Sequence, residues 1–261
     1  MEIVKLIFEK KQNPSNFKND LNDIYTENCN EEARRSIESF LSKNESLDDI
    51  DFFYLLEDKI AAIRLACYEN LLYTLKYFDE KGADFHELDL SNNNTIHWAC
   101  LSGSVRILDF MIEKNINLFQ KNDNGDTGLI KAASTNNLEI VKRLVDLGFD
   151  VNDSNEAKKT PLILASMEGY IEIVEYLIQK GADVHLRDNY ASSLFYACQS
   201  GHKMVVELLI EKGANIHEVD QYKKNLLHLA AYSGNKELAE LLVQKGFTFI
   251  SLSLYIRKKL N

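Results

Sequence analysis

The sequence contains little proline, glycine or cysteine, and each shortage excludes a class of protein. Among its 261 residues are 2 Pro and 11 Gly, which excludes collagen-like and proline-rich chains. Four cysteines are too few for a disulfide scaffold of this length. At the same time, 45% of the residues are hydrophobic, which is too many for a chain that is disordered throughout. These counts predict a folded protein with a large buried core.

The sequence also lacks an excess of positive charge and any long apolar run. Its 30 Lys and Arg residues oppose 40 Asp and Glu, which gives a net charge of −10, the wrong sign for holding nucleic acid by neutralising phosphates. No run approaches the roughly 18 apolar residues of a membrane span, and the opening residues MEIVKLIFEKK differ from a signal peptide. We therefore expect a soluble, acidic, cytoplasmic protein that neither binds nucleic acid nor inserts into a membrane.

A short segment, typified by residues 181–185 (GADVH), recurs at nearly constant spacing. Its first residue stands at positions 82, 115, 148, 181, 213 and 246, so the step is 33 residues with one step of 32. A second segment, typified by residues 160–165 (TPLILA), keeps the same register. Between the two lie stretches such as 138–145, whose apolar residues have the i, i+3, i+4, i+7 spacing of a helix with one buried face. The spacing predicts a protein built from stacked repeats.

These segments resemble the ankyrin repeat, a unit of about 33 residues whose Thr-Pro-Leu-His-x-Ala signature opens the first of two helices. Residues 160–165 (TPLILA) and 225–230 (NLLHLA) are the closest copies. The resemblance implies an all-α ankyrin-repeat solenoid, in which stacked helix-turn-helix units are joined by hairpin loops. The signature proline is kept at Pro161 alone, so the other first helices are expected to begin less rigidly.

The register divides the chain into an irregular N-terminal region, six clear repeats and a short tail. Residues 1–55 are expected to form a degenerate ankyrin-like capping region, with a half-repeat at 1–11, a degenerate repeat at 18–44 and an acidic insertion at 45–53. Residues 253–261 form the tail. The six repeats are predicted at 56–88, 89–121, 122–154, 155–187, 188–219 and 220–252.

The cysteines are candidates for ligands or nucleophiles, but the repeat register accounts for them. Cys67, Cys100 and Cys198 each lie 15 residues before the first residue of a loop segment, where other repeats carry Ala or Ser, and Cys29 lies 15 residues before Asn44, the equivalent position of the degenerate repeat. This register predicts one small packing position and supplies neither the convergent ligands of a metal site nor a cofactor site. His97 and Cys100, spaced i, i+3 on one helix, leave a hydrolase as an alternative that thiol reactivity would test.

One further position on the first helix carries residues of unusual character. Trp98 stands where the repeat has an apolar side chain, and we expect it to pack in the core. Lys131 occupies the same position one repeat later. It indicates either a locally hydrated face or a contact with a partner.

Loop tips and the exposed ends of the first helices are the expected partner-binding positions. The resemblance implies that they face a concave groove, and repeat arrays bind through extended surfaces of this kind. Tyrosine and arginine among them are enriched in binding hot spots. As an alternative, Tyr190 and Tyr222 pack on each other across neighbouring loops. The candidate partner-binding residues are Tyr68, Leu88, Leu90, Leu101, Met167, Glu168, Arg187, Tyr190, Gln199, Tyr222, Lys224 and Tyr232.

The sequence thus predicts a non-catalytic, monomeric protein-interaction module that binds a protein partner and needs no cofactor. Two alternatives stay open. The chain is the recognition segment of a larger regulatory protein or enzyme, or it is an effector that an intracellular microbe delivers into the host cytosol. The abundance of Asn, Lys and Ile supports the second alternative, because it is typical of AT-rich genomes of such microbes.

Overall fold

The computed structural model describes residues 59–220 and 224–246. Within these ranges the chain forms twelve α-helices, and its extended backbone is confined to two isolated antiparallel bridges. It divides into two compact units between Asn122 and Asp123. Some of the expectations lie outside the described residues, namely those for 1–55 with Cys29, for the tail 253–261, and for Tyr222 with its packing on Tyr190.

The first unit contains two described helix pairs. The two helices of each pair pack against each other, and the first helices of the two pairs pack side by side. Their buried side chains include Ile63, Leu75, Ile96 and Leu108, which form the core between the pairs. The helices are α1 (Lys59–Tyr68), α2 (Leu72–Glu80), α3 (Thr95–Ser102) and α4 (Val105–Glu113).

The second unit contains four described helix pairs. Its first helices, α5, α7, α9 and α11, pack in sequence as one layer, and its second helices, α6, α8, α10 and α12, pack in sequence as another. The helices are α5 (Gly128–Ala133), α6 (Leu138–Asp146), α7 (Pro161–Glu168), α8 (Ile171–Gln179), α9 (Ser193–Ser200), α10 (Lys203–Glu211), α11 (Leu226–Tyr232) and α12 (Lys236–Gln244). The predicted all-α fold of stacked helix pairs is confirmed.

The second helices are amphipathic, as their spacing predicts. In α8 the side chains of Ile173, Val174 and Leu177 are fully buried, whereas Glu172 and Glu175 are exposed. A helix of nine residues is too short to be stable alone in water. Its stability therefore comes from this buried face.

Each first helix from α3 onward begins at a capping side chain, whether or not proline follows. The side-chain oxygen of the capping residue accepts a hydrogen bond from the backbone N–H three residues later, which satisfies one of the orphaned donors of the first turn. Such a cap contributes about 1 kcal/mol, so these helix starts do not depend on the signature proline. The capping residues are Asn94, Thr127, Thr160, Ser192 and Asn225.

The small packing position predicted from the cysteines is confirmed at five repeats. The side chains there have no exposed surface, and they are Cys67, Cys100, Ala133, Ser166 and Cys198. At the sixth repeat the equivalent Ala231 is exposed. It lies on α11, which belongs to the last helix pair among the described residues, so no described helix pair stacks on that face.

Side-chain amides join consecutive repeats within each unit. In the first unit, Asn122 Nδ2 donates to Asn93 Oδ1 at 2.7 Å. In the second unit, Asn152 Nδ2 donates to the carbonyl oxygen of Gly181 at 3.1 Å, and Asn152 Oδ1 accepts from the N–H of Asp183 at 2.8 Å. The two Asn152 bonds satisfy backbone groups of the following loop, and all three bonds fix one loop against the next.

Candidate protein-binding surface

The loop that precedes α3 is organised around one carboxylate. Asp89 Oδ1 accepts hydrogen bonds from the N–H groups of Ser91 at 2.9 Å and Asn93 at 3.0 Å. Asp89 Oδ2 accepts from Trp98 Nε1 at 3.2 Å. Burial alone would raise the pKa of Asp89, but these hydrogen bonds, with that from the Asn93 amide, outweigh it and lower the pKa below its usual range. The ionised carboxylate therefore fixes the loop tip to the helix.

Trp98 lies at the edge of the core, where its indole is half-buried, and not within the core as its register suggested. The Arg64 guanidinium stacks over the indole at 5.2 Å from the ring centroid, and Arg64 Nη1 lies 3.6 Å from Asp89 Oδ2. Tyr68 meets the indole edge-on at 6.4 Å between centroids. A cation, an aromatic ring and a carboxylate thus form one cluster on the surface of the first unit.

Four of the candidate binding residues belong to this unit, and their side chains are open to solvent to different degrees. Leu90, at the loop tip, is fully exposed, and Tyr68 at the end of α1 is 53% exposed. Leu88 is exposed to a lesser degree, and Leu101 is half-buried. The structure brings Tyr68 to Trp98 and places Leu88 and Leu90 on either side of Asp89.

The other described candidates belong to the second unit, and three of them occupy equivalent positions. Met167, Gln199 and Tyr232 lie at the ends of α7, α9 and α11, which are successive neighbours. Met167 is half-buried and Gln199 is exposed, while Tyr232 is 87% exposed. Glu168, Arg187, Tyr190 and Lys224 are exposed at helix ends and loops.

Arg187 forms an ion pair within the second unit that was not predicted from the sequence. Its Nη1 lies 2.9 Å from Glu218 Oε2, and its Nη2 donates to the carbonyl oxygen of Tyr190 at 3.3 Å. Glu218 is buried and also accepts a short hydrogen bond from Ser192 Oγ. Burial raises the pKa of Glu218, although Ser192 and Arg187 oppose this. Arg187 therefore links two successive loops while part of its guanidinium stays exposed.

Tyr196 forms a second cluster of the kind found around Trp98, and it occupies the same repeat position. Its Oη donates to Asp188 Oδ2 at 2.7 Å, and Lys159 Nζ lies 5.5 Å from the ring centroid. Burial and the bonded Asp188 raise the pKa of Tyr196. This cluster was not predicted from the sequence, although an aromatic residue at one register position with Asp at a fixed loop position was a signal for it.

Lys131 takes the same position in the first repeat of the second unit. Its Nζ lies 2.8 Å from Asp126 Oδ2, and Asp126 Oδ1 accepts from Asn155 Nδ2 at 2.8 Å. Its charge is thus directed to a loop carboxylate of its own repeat.

Cys67, Cys100 and His97 occupy structural positions in the described first helices. Burial raises the pKa of the Cys67 and Cys100 thiols, whereas a nucleophilic thiol needs a lowered pKa. His97 Nδ1 accepts from the N–H of Asn94 at 3.2 Å and so belongs to the cap of α3. Across residues 59–220 and 224–246, no group of His, Cys, Asp and Glu side chains is arranged to hold a metal ion.

Repeated helix pairs joined by hydrogen-bonded loops define a helical repeat protein. The family model described as ankyrin repeats in three copies matches residues 63–155, 115–188 and 187–251. These matches cover more than half of the sequence, and the chain belongs to the ankyrin-repeat family. A comparison with curated proteins finds no match. Ankyrin repeats are generally protein-interaction modules and typically non-catalytic. No helix among the described residues has the length and apolarity to cross a membrane.

Proposed function

We propose that this chain is a non-catalytic module that binds a protein partner through its loop tips and the ends of its first helices. The observation that carries the proposal is the exposure of two tyrosines on that surface of the second unit. Tyr232 is 87% exposed and Tyr190 is 62% exposed. Tyrosine contributes large contact area at low conformational cost and is enriched in binding hot spots.

The loop that carries Tyr190 is held in one conformation, which favours binding. Asp188 Oδ1 accepts hydrogen bonds from the N–H groups of Tyr190 at 2.8 Å and Ala191 at 2.7 Å. Arg187 Nη2 also donates a hydrogen bond to the Tyr190 carbonyl oxygen. A side chain displayed on a fixed backbone loses less entropy on binding than one on a mobile loop. The other candidates of the second unit are proposed as surrounding contacts, namely Met167, Glu168, Arg187, Gln199, Tyr222 and Lys224. The candidates of the first unit are proposed as partner-binding residues of that unit, namely Tyr68, Leu88, Leu90 and Leu101.

The test compares capture of partners from native lysate by the immobilised chain and by the double variant Tyr190→Ala/Tyr232→Ala. We expect the captured protein to be lost with the variant while the melting temperature changes by less than about 2 °C, because both side chains are exposed. Met204→Ala is the matched control, since Met204 is 65% exposed on the second helix α10. Undiminished capture by the double variant, or equal loss with the control, would contradict the proposal.

We further propose that the chain acts as a monomer in a cytoplasmic compartment. The small number of cysteines, 4 in the whole sequence, is typical of proteins from reducing compartments, where disulfides are rare. Sedimentation of the purified chain at micromolar concentration tests the monomer, and fractionation of expressing cells tests the compartment. A concentration-dependent dimer or recovery in a membrane fraction would count against these points.

A further inference from the structure

Two exposed leucines are the chain neighbours of Asp89, the carboxylate of the Trp98 cluster in the first unit. Leu90 is fully exposed, while Leu88 and Tyr68 are 39% and 53% exposed. The Tyr68 ring contacts the indole of Trp98, and the two leucines flank Asp89, whose carboxylate binds the indole N–H. We name Tyr68, Leu88, Leu90 and Trp98 the Leu90 patch. Leu88 and Leu90 thus lie one residue from the carboxylate that contacts the aromatic pair, and exposed apolar groups that lie close together mark interaction sites.

The Leu90 patch is rigid before any partner arrives. Asp89 holds the loop through the N–H groups of Ser91 and Asn93, and the N–H of Asp89 donates to the carbonyl oxygen of Asn93 at 3.0 Å, which closes the turn beneath Leu90. These three hydrogen bonds hold the loop backbone in one arrangement. Leu90 is presented as a fixed apolar projection, so little entropy is lost when it enters a complementary site.

The rim of the patch is acidic. Asp84 and Glu87 are exposed, and both line the slot beside Trp98 and Arg64. The N–H of His86 donates to Asp84 Oδ1 at 2.8 Å, and this bond lowers the pKa of Asp84, which keeps it ionised near neutral pH. Arg64 does not offset both carboxylates, because its guanidinium is directed to Asp89 and the indole. A partner group at this rim faces negative charge.

We propose that the Leu90 patch binds a basic, leucine-rich segment of a partner protein, with Lys or Arg opposite Asp84 and Glu87 and apolar side chains on Leu88, Leu90 and Tyr68. Apolar contact supplies affinity, and charge complementarity rejects acidic segments. The inference rests on the proposed function, since it names the partner chemistry for one part of the interaction surface.

Trp98 provides the test, because it is the single tryptophan of the chain and lies within the patch. The full chain is titrated with three synthetic peptides of equal length, in which Lys alternates with Leu, Glu with Leu, or Lys with Ser. We expect a saturable change in Trp98 emission with the Lys-Leu peptide alone. The peptide with Glu tests the charge, and the peptide with Ser tests the apolar contact.

Two variants with matched controls assign the binding to the patch. Leu90→Ser should lower the affinity for the Lys-Leu peptide about tenfold, because burial of one leucine contributes about that factor. Met204→Ser on the second unit should leave this affinity unchanged. Glu87→Gln should reduce both affinity and its salt dependence, whereas Glu172→Gln, which removes an exposed carboxylate of α8, should leave them unchanged. Unaltered circular dichroism and melting temperature verify that each variant folds.

Equal affinity for the Glu-Leu peptide, or unchanged affinity of Leu90→Ser, would overturn the inference. These outcomes are separate from the test of the proposed function, which depends on Tyr190 and Tyr232 in the second unit. If lysate capture still requires those tyrosines while the Lys-Leu peptide does not bind, the inference about the Leu90 patch is wrong and the proposed function stands.

Discussion

Tyr196 Oη donates a hydrogen bond of 2.7 Å to Asp188 Oδ2, and this single contact joins helix α9 to the loop that precedes it. Asp188 also accepts the N–H groups of Tyr190 and Ala191, so one carboxylate fixes both the helix and the loop tip. The Asp89 carboxylate of the first unit does the same for Trp98. Loop tips that carry candidate binding residues are therefore stabilised from the helix side.

Removal of the Tyr196 hydroxyl tests this stabilisation. Tyr196→Phe should lower the free energy of unfolding by about 1.5 kcal/mol, because hydrogen bonds to charged groups contribute about 1.5–3 kcal/mol and this ring is only half-buried. Urea unfolding followed by circular dichroism measures the loss. Tyr190→Phe is the control and should change stability by less than about 0.5 kcal/mol, since that side chain is exposed. Equal losses in the two variants would refute the role of the Asp188 contact.

A second prediction concerns the close approach of His202 to Gly169. Gly169 has φ +80, and a Cβ built there would lie 2.5 Å from His202 Nδ1, while His202 Nε2 lies 3.1 Å from the carbonyl oxygen of Met167. Gly169→Ala should therefore cost the strain of a left-handed alanine, about 1–2 kcal/mol, and a further 1–3 kcal/mol or so for displacing the imidazole. Thermal and urea unfolding give the total.

Gly148→Ala separates these two contributions. Gly148 has φ +93 with no atom within 4 Å of a built Cβ, so its substitution should cost the backbone strain alone. The cost of displacing the imidazole should be absent when His202 is already alanine. The double variant Gly169→Ala/His202→Ala should therefore be less stable than His202→Ala by the backbone strain alone. If Gly169→Ala and Gly148→Ala lower the free energy of unfolding equally, displacing the His202 imidazole costs no free energy and the prediction is wrong.

The repeat register predicts the features that recur in every repeat. It does not predict features that depend on which helix pair lies next to a given repeat. It predicted the helix pairs and the buried Cys67, Cys100 and Cys198, because stacking the same face repeatedly requires a small side chain at the same position. It did not predict that Ala231 is exposed. Whether the side chain at the position of Ala231 is buried depends on a further helix pair that stacks on it. The residues of α11 themselves do not indicate whether such a pair follows.

The exposure of several candidate binding residues was predictable, whereas the side-chain pairs that they form were not. Exposure at Tyr232 and Leu90 agrees with the register of helix ends and loop tips. The pairing of Arg187 with Glu218 joins residues of different repeats at a spacing that has no pattern in the sequence. Side-chain contacts of this kind depend on the approach of two loops, which three-dimensional structure alone supplies.

Lys158 leads to a third prediction, since it is a lysine in the left-handed region with φ +60. That conformation costs a non-glycine residue about 1–2 kcal/mol, whereas glycine adds unfolded-chain entropy of about 0.4–1 kcal/mol. Lys158→Gly should therefore raise the free energy of unfolding by about 0.5 kcal/mol. The neighbouring Ala157 is not among the positive-φ residues, and Ala157→Gly should lower stability instead. Urea unfolding of both variants decides the point, and a loss of stability in Lys158→Gly would contradict the strain.

The last prediction concerns the pH dependence of stability at Glu218. Burial raises its pKa above the ordinary value of about 4.3. Between these two values the folded chain binds more protons than the unfolded chain, so the stability that Glu218 contributes is complete below the ordinary pKa and is lost as pH rises through the raised one. Glu218→Gln removes the titrating group and keeps an acceptor for Ser192 Oγ. Urea unfolding at pH 4 and pH 7 should show that wild type gains stability relative to Glu218→Gln at the lower pH.

The ion pair with Arg187 acts in the opposite direction, because it stabilises the ionised carboxylate. If this attraction outweighed burial, wild type would gain on Glu218→Gln as pH rises, and the predicted sign would be wrong. Glu168→Gln removes an exposed carboxylate from the same unit and controls for the loss of one negative charge. A pH effect of equal size in that control would show that net charge is responsible, whereas an effect confined to Glu218→Gln assigns it to the buried carboxylate between Ser192 and Arg187.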